Sequence, residues 1–329
     1  MSKKMMKAIC KTAAGDSPRL VDVPIPKPGM KEVLVKVHYA GICKTDLKIA
    51  RGELKSQNGG VILGHEFSGE VVRLGFGCDK LNAAGDMKVN VGDLVVANPM
   101  LDDESDKMLG KDVNGCFAEY VVVPMENILD VSHYTSDADD SVVKALAYAE
   151  PVAAALGPLQ VLQRAVSYLP EAIGAHRVVI AGNPDDRIAK LLAKCLEDLG
   201  HKPLIVPPEK MMIDYDLSGK KYKSIVECCP EFAGKLLKCL ENKGTLVLKS
   251  RGYVGFDNVL VNDIVMRELC IVGAKYSSFY SACTYILQNR EDLLRDLIEN
   301  RDYKLEEFEE AFKSASAKDA KKVMFKCVQ

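Results

Sequence analysis

In Glu32-Val33-Leu34-Val35-Lys36-Val37 three valines fall on one face and Glu32, Leu34 and Lys36 on the other. That period of two predicts a half-buried strand. Pro24, Pro26, Pro28 and Gly29 break the chain just before it. Similar short runs at 69–74, 94–97 and 118–123 are separated by glycine-rich and acidic turns, which predicts an antiparallel, barrel-like domain. Across 136–156, Val142, Val143, Leu146 and Ala147 recur at helical spacing, with Ser141 placed to cap the start.

The texture changes near residue 157. His176-Arg177-Val178-Val179-Ile180-Ala181-Gly182 predicts a buried strand, and Ile188, Leu191, Leu192, Cys195, Leu196 and Leu199 then recur at helical spacing. Further strand-like runs stand at 204–206, 224–229, 244–248 and 269–273, with helical patterns between them. Strand and helix in alternation imply a doubly wound parallel sheet covered on both faces. The last forty residues or so predict helix and then strand. The fold class is therefore α/β, with a β-rich domain and a parallel-sheet domain.

A length of 329 residues fits two domains. The net charge of −2 provides no basic field for nucleic acid and no attraction to a membrane surface. No apolar run reaches the roughly 18 residues a membrane-spanning helix requires, and the basic start, 1–11, leads into no hydrophobic region. Eleven cysteines without framework spacing suit a reducing compartment. These features predict a soluble cytoplasmic protein.

The candidate chemistry centres on Gly64-His65-Glu66-Phe67-Ser68-Gly69-Glu70-Val71-Val72, where imidazole and carboxylate stand side by side ahead of a strand. Upstream lies Gly41-Ile42-Cys43-Lys44-Thr45-Asp46, and downstream Tyr148-Ala149-Glu150-Pro151. Thiolate, imidazole and carboxylate are the usual zinc ligand types, and a catalytic zinc takes three protein ligands and leaves a position open. Cys43, His65, Glu66 and Glu150 are the metal candidates.

These segments, with Val-Gly-Asp-Leu-Val at 91–95 and the tail motifs at 305–312 and 321–325, resemble the zinc-dependent medium-chain dehydrogenases, nearest their sorbitol and threonine dehydrogenase-like branch. The resemblance implies a GroES-like zinc-binding catalytic domain from 1–156 and 291–329, and a Rossmann-type domain from 157–290. It implies an oxidoreductase that interconverts a small secondary alcohol or polyol and its ketone with NAD(P), assembled as a homodimer or homotetramer. Cys43 and His65 become the expected primary ligands, with Glu66 or Glu150 completing the set. Thr45 takes the place of a proton-relaying hydroxyl. Asp46 takes the place of the acid that orients the histidine, although it could equally cap a helix. Lys44 takes the place of a cation facing the cofactor pyrophosphate. Relatives with a structural zinc carry four closely spaced cysteines in the lobe at 99–114. Here that lobe has none and Cys116 stands alone, so one catalytic zinc and no structural zinc are expected.

The dinucleotide fingerprint is degenerate. After the 178–181 strand a Gly-x-Gly-x-x-Gly loop should follow, and Gly182-Asn183-Pro184-Asp185-Asp186-Arg187 stands there. Gly182, Asn183 and Arg187 are the remaining cofactor-binding candidates. Asn183 is expected as N-cap and Pro184 as the first helical residue, with Asp185 and Asp186 in the first turn, where they would repel a phosphate. Beyond the next strand, Glu209 could take a ribose hydroxyl or Lys210 a 2′-phosphate. This damage admits an alternative, a zinc-dependent lyase, hydratase or isomerase that works without a dinucleotide.

Overall fold

In the computed structural model of the chain, residues 4–12, 16–56, 60–78, 89–102, 106–134, 139–167, 177–250 and 261–328 are described. The expectation at His176 lies outside them. The first hairpin joins β1 (Met5–Lys11) antiparallel to β2 (Arg19–Pro24). The alternation at 32–37 belongs to a longer strand, β3 (Glu32–Gly41), which leads through two residues into the short helix α1 (Lys44–Ala50). Next come β4 (Val61–Ile62), β5 (Glu66–Leu74), β6 (Leu94–Ala97), β7 (Met100–Asp102), β8 (Lys107–Met108), β9 (Tyr120–Pro124) and β10 (Ile128–Asp130).

The helix expected over 136–156 is two helices, α2 (Asp140–Leu146) and α3 (Ala149–Ser167), and 135–138 lie outside the described residues. The cap of α2 is Asp139 rather than Ser141: the Asp139 carboxylate accepts the N–H of Val142, and the Ser141 hydroxyl bonds to the same carboxylate. A carboxylate at that end also complements the helix dipole.

The parallel sheet follows, with β11 (Val178–Ala181), α4 (Arg187–Asp198), β12 (Leu204–Val206), α5 (Pro208–Ser218), β13 (Tyr222–Glu227), α6 (Ala233–Leu236), β14 (Leu240–Leu248), α7 (Val261–Met266) and β15 (Cys270–Gly273). Its order is β12-β11-β13-β14-β15 and every pairing is parallel. A six-stranded dinucleotide sheet runs 3-2-1-4-5-6, and among the described residues this one has no third strand. Three residues separate α5 from β13, too few to form another strand and cross the sheet. Val179, Ile225 and Leu246, neighbours in register, are buried on one face, and Ile180, Val226 and Val247 are buried on the other.

The chain then closes with α8 (Phe279–Gln288), α9 (Arg290–Asp296), β16 (Ile298–Tyr303), α10 (Phe308–Ala315) and β17 (Lys322–Lys326). Two compact units result, Met1–Glu150 with Phe279–Gln329, and Pro151–Ser278. In the first, seven strands form a sheet of order β10-β6-β5-β3-β17-β16, with β9 also paired to β3. β17 lies antiparallel to β3, with Met324 opposite Gly41, and β5 pairs with β3 on its other side, with Glu66 opposite Gly41. This register brings the two ends of the chain to the residues of interest. Phe117, Phe312 and Phe325 meet at the centre of this core. Among the described residues no single helix is long and apolar enough to cross a membrane.

Candidate metal centre

Cys43 is the N-cap residue of α1, and Asp46 sits at the third helical position. The Asp46 carboxylate reaches back to accept the N–H of Cys43 at 2.8 Å through Oδ2, which is one half of a capping box. Its other oxygen, Oδ1, accepts the N–H of Gly64 at 3.1 Å. One fully buried carboxylate thus ties the backbone before His65 to the backbone of Cys43. Gly64 has φ +92, and a Cβ there would lie 2.3 Å from the Phe117 ring, so only glycine lets the chain turn here.

The ligand atoms of Cys43, His65 and Glu66 all lie within 4.8 Å of one another. Among the described residues no other group of three such donors is so close. His65 and Glu66 are buried and Cys43 is half-buried. His65 Nδ1 lies 3.3 Å from Asp46 Oδ1, within ion-pair distance but without hydrogen-bond alignment, so this buried nitrogen has no hydrogen-bond partner. Burial pushes the imidazole pKa down, but the Asp46 carboxylate and the Cys43 sulfur push it up further, well above the ordinary histidine value. For Glu66, burial raises the carboxyl pKa, and Glu150 adds to the rise, while Lys322 and His65 pull it back. A half-buried thiol with a buried imidazole and carboxylate, and an orienting acid behind the imidazole, fit zinc by ligand type.

The other predicted residues take up various positions. Glu150 stands outside the cluster of three, half-buried at the start of α3, yet near enough to Glu66 to perturb it. The Thr45 hydroxyl is 3.8 Å from Cys43 Sγ, and Lys44 is exposed at the start of α1. Cys116 is fully buried and its thiol donates to the carbonyl of Glu66 at 3.6 Å. Part of the lobe, 103–105, lies outside the described residues. The turn that follows is closed by buried Asp112, which accepts the N–H of Met108 and the ammonium of Lys111, each at 3.0 Å.

One residue was missed by sequence reasoning. Lys322, at the start of β17, is buried and its Nζ donates to both Glu66 oxygens, at 2.6 and 2.8 Å, and to the carbonyl of Ile42 at 3.2 Å. No local pattern marks it, since it reaches Glu66 only when β17 docks beside β3.

In the second unit the N-cap of α4 is Asp186, and the helix starts at Arg187, which corrects the expected Asn183 cap and Pro184 first residue. The Asn183 side chain instead accepts the N–H of Asp185 at 2.9 Å, and the N–H of Asp186 bonds to the Asn183 carbonyl. That local turn holds Pro184 and Asp185 outside the helix. The Asp186 carboxylate accepts the N–H of Ile188 at 3.0 Å. It therefore occupies one of the free helix donors that would face a phosphate. Gly182 packs against Cys228 and Ala189 at the C-terminal end of β11.

Sheet order and donor cluster together define an α/β protein of two units, one β-rich with a metal-type ligand set and one with a parallel nucleotide-binding type of sheet. The alcohol dehydrogenase GroES-like domain matches residues 29–133. An L-threonine 3-dehydrogenase of Pyrococcus horikoshii is 29% identical over 360 aligned positions that cover 99% of both chains. A D-arabitol-phosphate dehydrogenase of Enterococcus avium is 36% identical over 141 residues, 38% of each chain. A zinc-binding dehydrogenase of Sinorhizobium meliloti, solved with NADP, superposes with a TM-score of 0.71 at 22% identity, covering 99% of this chain and all of the other. The chain thus carries an alcohol dehydrogenase GroES-like domain and is similar along its whole length to L-threonine 3-dehydrogenases.

Proposed function

We propose that the chain is a zinc-dependent oxidoreductase that interconverts a small secondary alcohol or polyol and its ketone against a nicotinamide dinucleotide. The observation that carries this reading is the convergence of Cys43, His65 and Glu66 on one buried point. L-Threonine and arabitol phosphate, the substrates named for two relatives, share a secondary hydroxyl. Zinc bound by Cys43, His65 and an acid would act as a Lewis acid on that oxygen. Asp46 fixes the ring of His65 and the start of α1, and so holds the imidazole and the thiol in one relative position. The Thr45 hydroxyl, one residue into α1 and beside the Cys43 sulfur, is the group assigned to carry the substrate proton away. Glu150, outside the cluster, is assigned to the outer coordination sphere. The absence of cysteine from the lobe supports a single zinc per chain.

The residues from Pro151 to Ser278 are assigned to the cofactor, at the C-terminal ends of β11 and β13, where the sheet order reverses. With Asp186 on a helix donor and Pro184 in the loop, we infer weaker dinucleotide binding than a full glycine fingerprint allows. Gly182, Asn183 and Arg187 remain the loop residues assigned to it, with Lys44 as a cation for the pyrophosphate. β15 is an edge strand with Cys270 exposed, and Val261, Val265 and Met266 of α7 are exposed apolar side chains. That apolar surface beside a free edge supports a homodimer or homotetramer. All eleven cysteines are free thiols, which supports a reducing, cytoplasmic setting. The lyase, hydratase or isomerase alternative gains no support from the relatives named above. Incubation of the zinc-loaded chain with secondary alcohols and NAD+ or NADP+ tests the proposal. Reduction of the dinucleotide, lost in Cys43→Ser, is expected, whereas substrate turnover without any dinucleotide would overturn it.

A further inference from the structure

Lys322 is one of two adjacent lysines, and the pair part completely. Lys321 is half-exposed and donates to the carbonyl of Arg295, whereas Lys322 is only 4% exposed. A buried ammonium requires compensation of its charge and all three of its donors. Here Glu66 Oε1 and Oε2 and the Ile42 carbonyl supply it, and the Tyr148 ring lies with its centroid 5.5 Å away. Ile42 immediately precedes Cys43, so one ammonium is bonded to the carboxylate of one ligand candidate and to the backbone leading into another.

The fold makes room for this contact. A Cβ on Gly41 would lie 2.5 Å from Glu66 Oε2 and 3.3 Å from the Lys322 side chain. The strand between β5 and β17 therefore carries hydrogen where any other residue would push the pair apart. The charge count points the same way. A thiolate at Cys43 with carboxylates at Glu66 and Glu150 outweighs a single dication, and the Lys322 ammonium restores balance at the cost of competing for the Glu66 oxygens.

We propose that Lys322 sets the affinity of the metal centre: its ammonium occupies both oxygens of Glu66, competes there with a divalent cation, and so holds down the affinity of the centre. This rests on the metal-centre reading above. A purely structural lysine predicts the opposite sign, since its loss would loosen Glu66 and weaken metal binding.

The test compares full-length wild type, Lys322→Gln and Lys322→Arg, each stripped by a chelator, checked for fold by circular dichroism, and titrated with Zn2+ against a chromogenic competitor. Gln keeps N–H donors for Glu66 and Ile42 and removes the charge. Lys322→Gln is expected to bind Zn2+ at least about tenfold more tightly than wild type, the effect of removing one nearby charge that repels a dication in a screened site, and Lys322→Arg within about threefold of it. Equal or weaker binding by folded Lys322→Gln overturns the proposal, as does a shift in Lys322→Arg as large as that in Lys322→Gln. Should Lys322→Gln unfold without metal, Zn2+ is expected to restore the fold, and failure at saturating Zn2+ overturns the proposal too. A wild type that binds no Zn2+ refutes the metal centre itself, and a wild type that binds it alongside an unchanged Lys322→Gln refutes only the role of Lys322.

Discussion

Asp46→Asn is the most informative single-atom change in this protein. The native carboxylate accepts the N–H of Cys43 at 2.8 Å and that of Gly64 at 3.1 Å, and approaches His65 Nδ1, all in a side chain with no exposure. An amide has one acceptor oxygen. Leaving it at the Oδ1 position keeps the N–H of Gly64 bonded and an oxygen beside His65, and turns the new NH2 group toward the N–H of Cys43, donor against donor. Loss of one charge-assisted hydrogen bond removes about 1.5–3 kcal/mol, and the stranded N–H adds about 1–3 kcal/mol. Together these give about 2.5–6 kcal/mol, and we expect the metal-free chain to lose about 3 kcal/mol, toward the lower end because the flanking segments can relax. Zinc affinity should fall about tenfold, because the donor clash at the Cys43 N–H shifts the thiol and the charge beside His65 is lost. Urea denaturation of the metal-free chain measures the first quantity and chelator competition the second. A variant within about 0.5 kcal/mol and about threefold of wild type, the range of a neutral surface change, would refute the bracing role assigned to Asp46.

Three further outcomes follow from the same geometry. Gly41→Ala should destabilise the first unit by about 2 kcal/mol or more by driving a methyl group against Glu66 Oε2, and an unchanged urea midpoint would contradict the close approach. Tyr39→Phe should cost about 1 kcal/mol, because its hydroxyl donates to Asp140 at 2.6 Å and that exposed carboxylate keeps Lys326 and is re-solvated, and a urea midpoint unchanged from wild type would contradict the contribution of this bond. Titration of His65 gives a signed pH effect: its pKa in the folded, metal-free chain lies above the ordinary value of 6.5, so the imidazolium adds stability that is complete below pH 6.5 and is lost as pH rises through the folded value. Metal-free stability should therefore decline from pH 6.5 upward while zinc affinity rises, and a urea midpoint that climbs over that window would contradict the assignment.

Legibility in the sequence varied with the distance over which an interaction is made. The strands at 94–97 and 204–206 were readable because their aliphatic periodicity is local. Cys43, His65 and Glu66 were readable because glycine, thiol and acid recur in a compact pattern. Lys322 was not, because nothing in Lys321-Lys322 distinguishes a buried ammonium from a solvated one. Its partner Glu66 is 256 residues away and meets it only when β17 docks beside β3. The cap of α4 failed for a different reason. Asn183 and Asp186 are both good N-caps, and the choice went to Asp186 once Asn183 had closed its own turn on Asp185. The missing third strand could have been inferred from the three-residue gap between α5 and β13, had that gap been weighed against the two-half plan of the fold.

The central claim is a single zinc held by one sulfur and by nitrogen and oxygen donors drawn from α1, β5 and their approaches. X-ray absorption at the zinc edge on the full chain, with metal content measured on the same sample, tests it most directly. The account predicts one zinc per chain with one sulfur near 2.3 Å and the remaining neighbours, nitrogen or oxygen, at about 2.0–2.2 Å. A shell of four sulfurs, a shell with none, or a replete chain without zinc would contradict it.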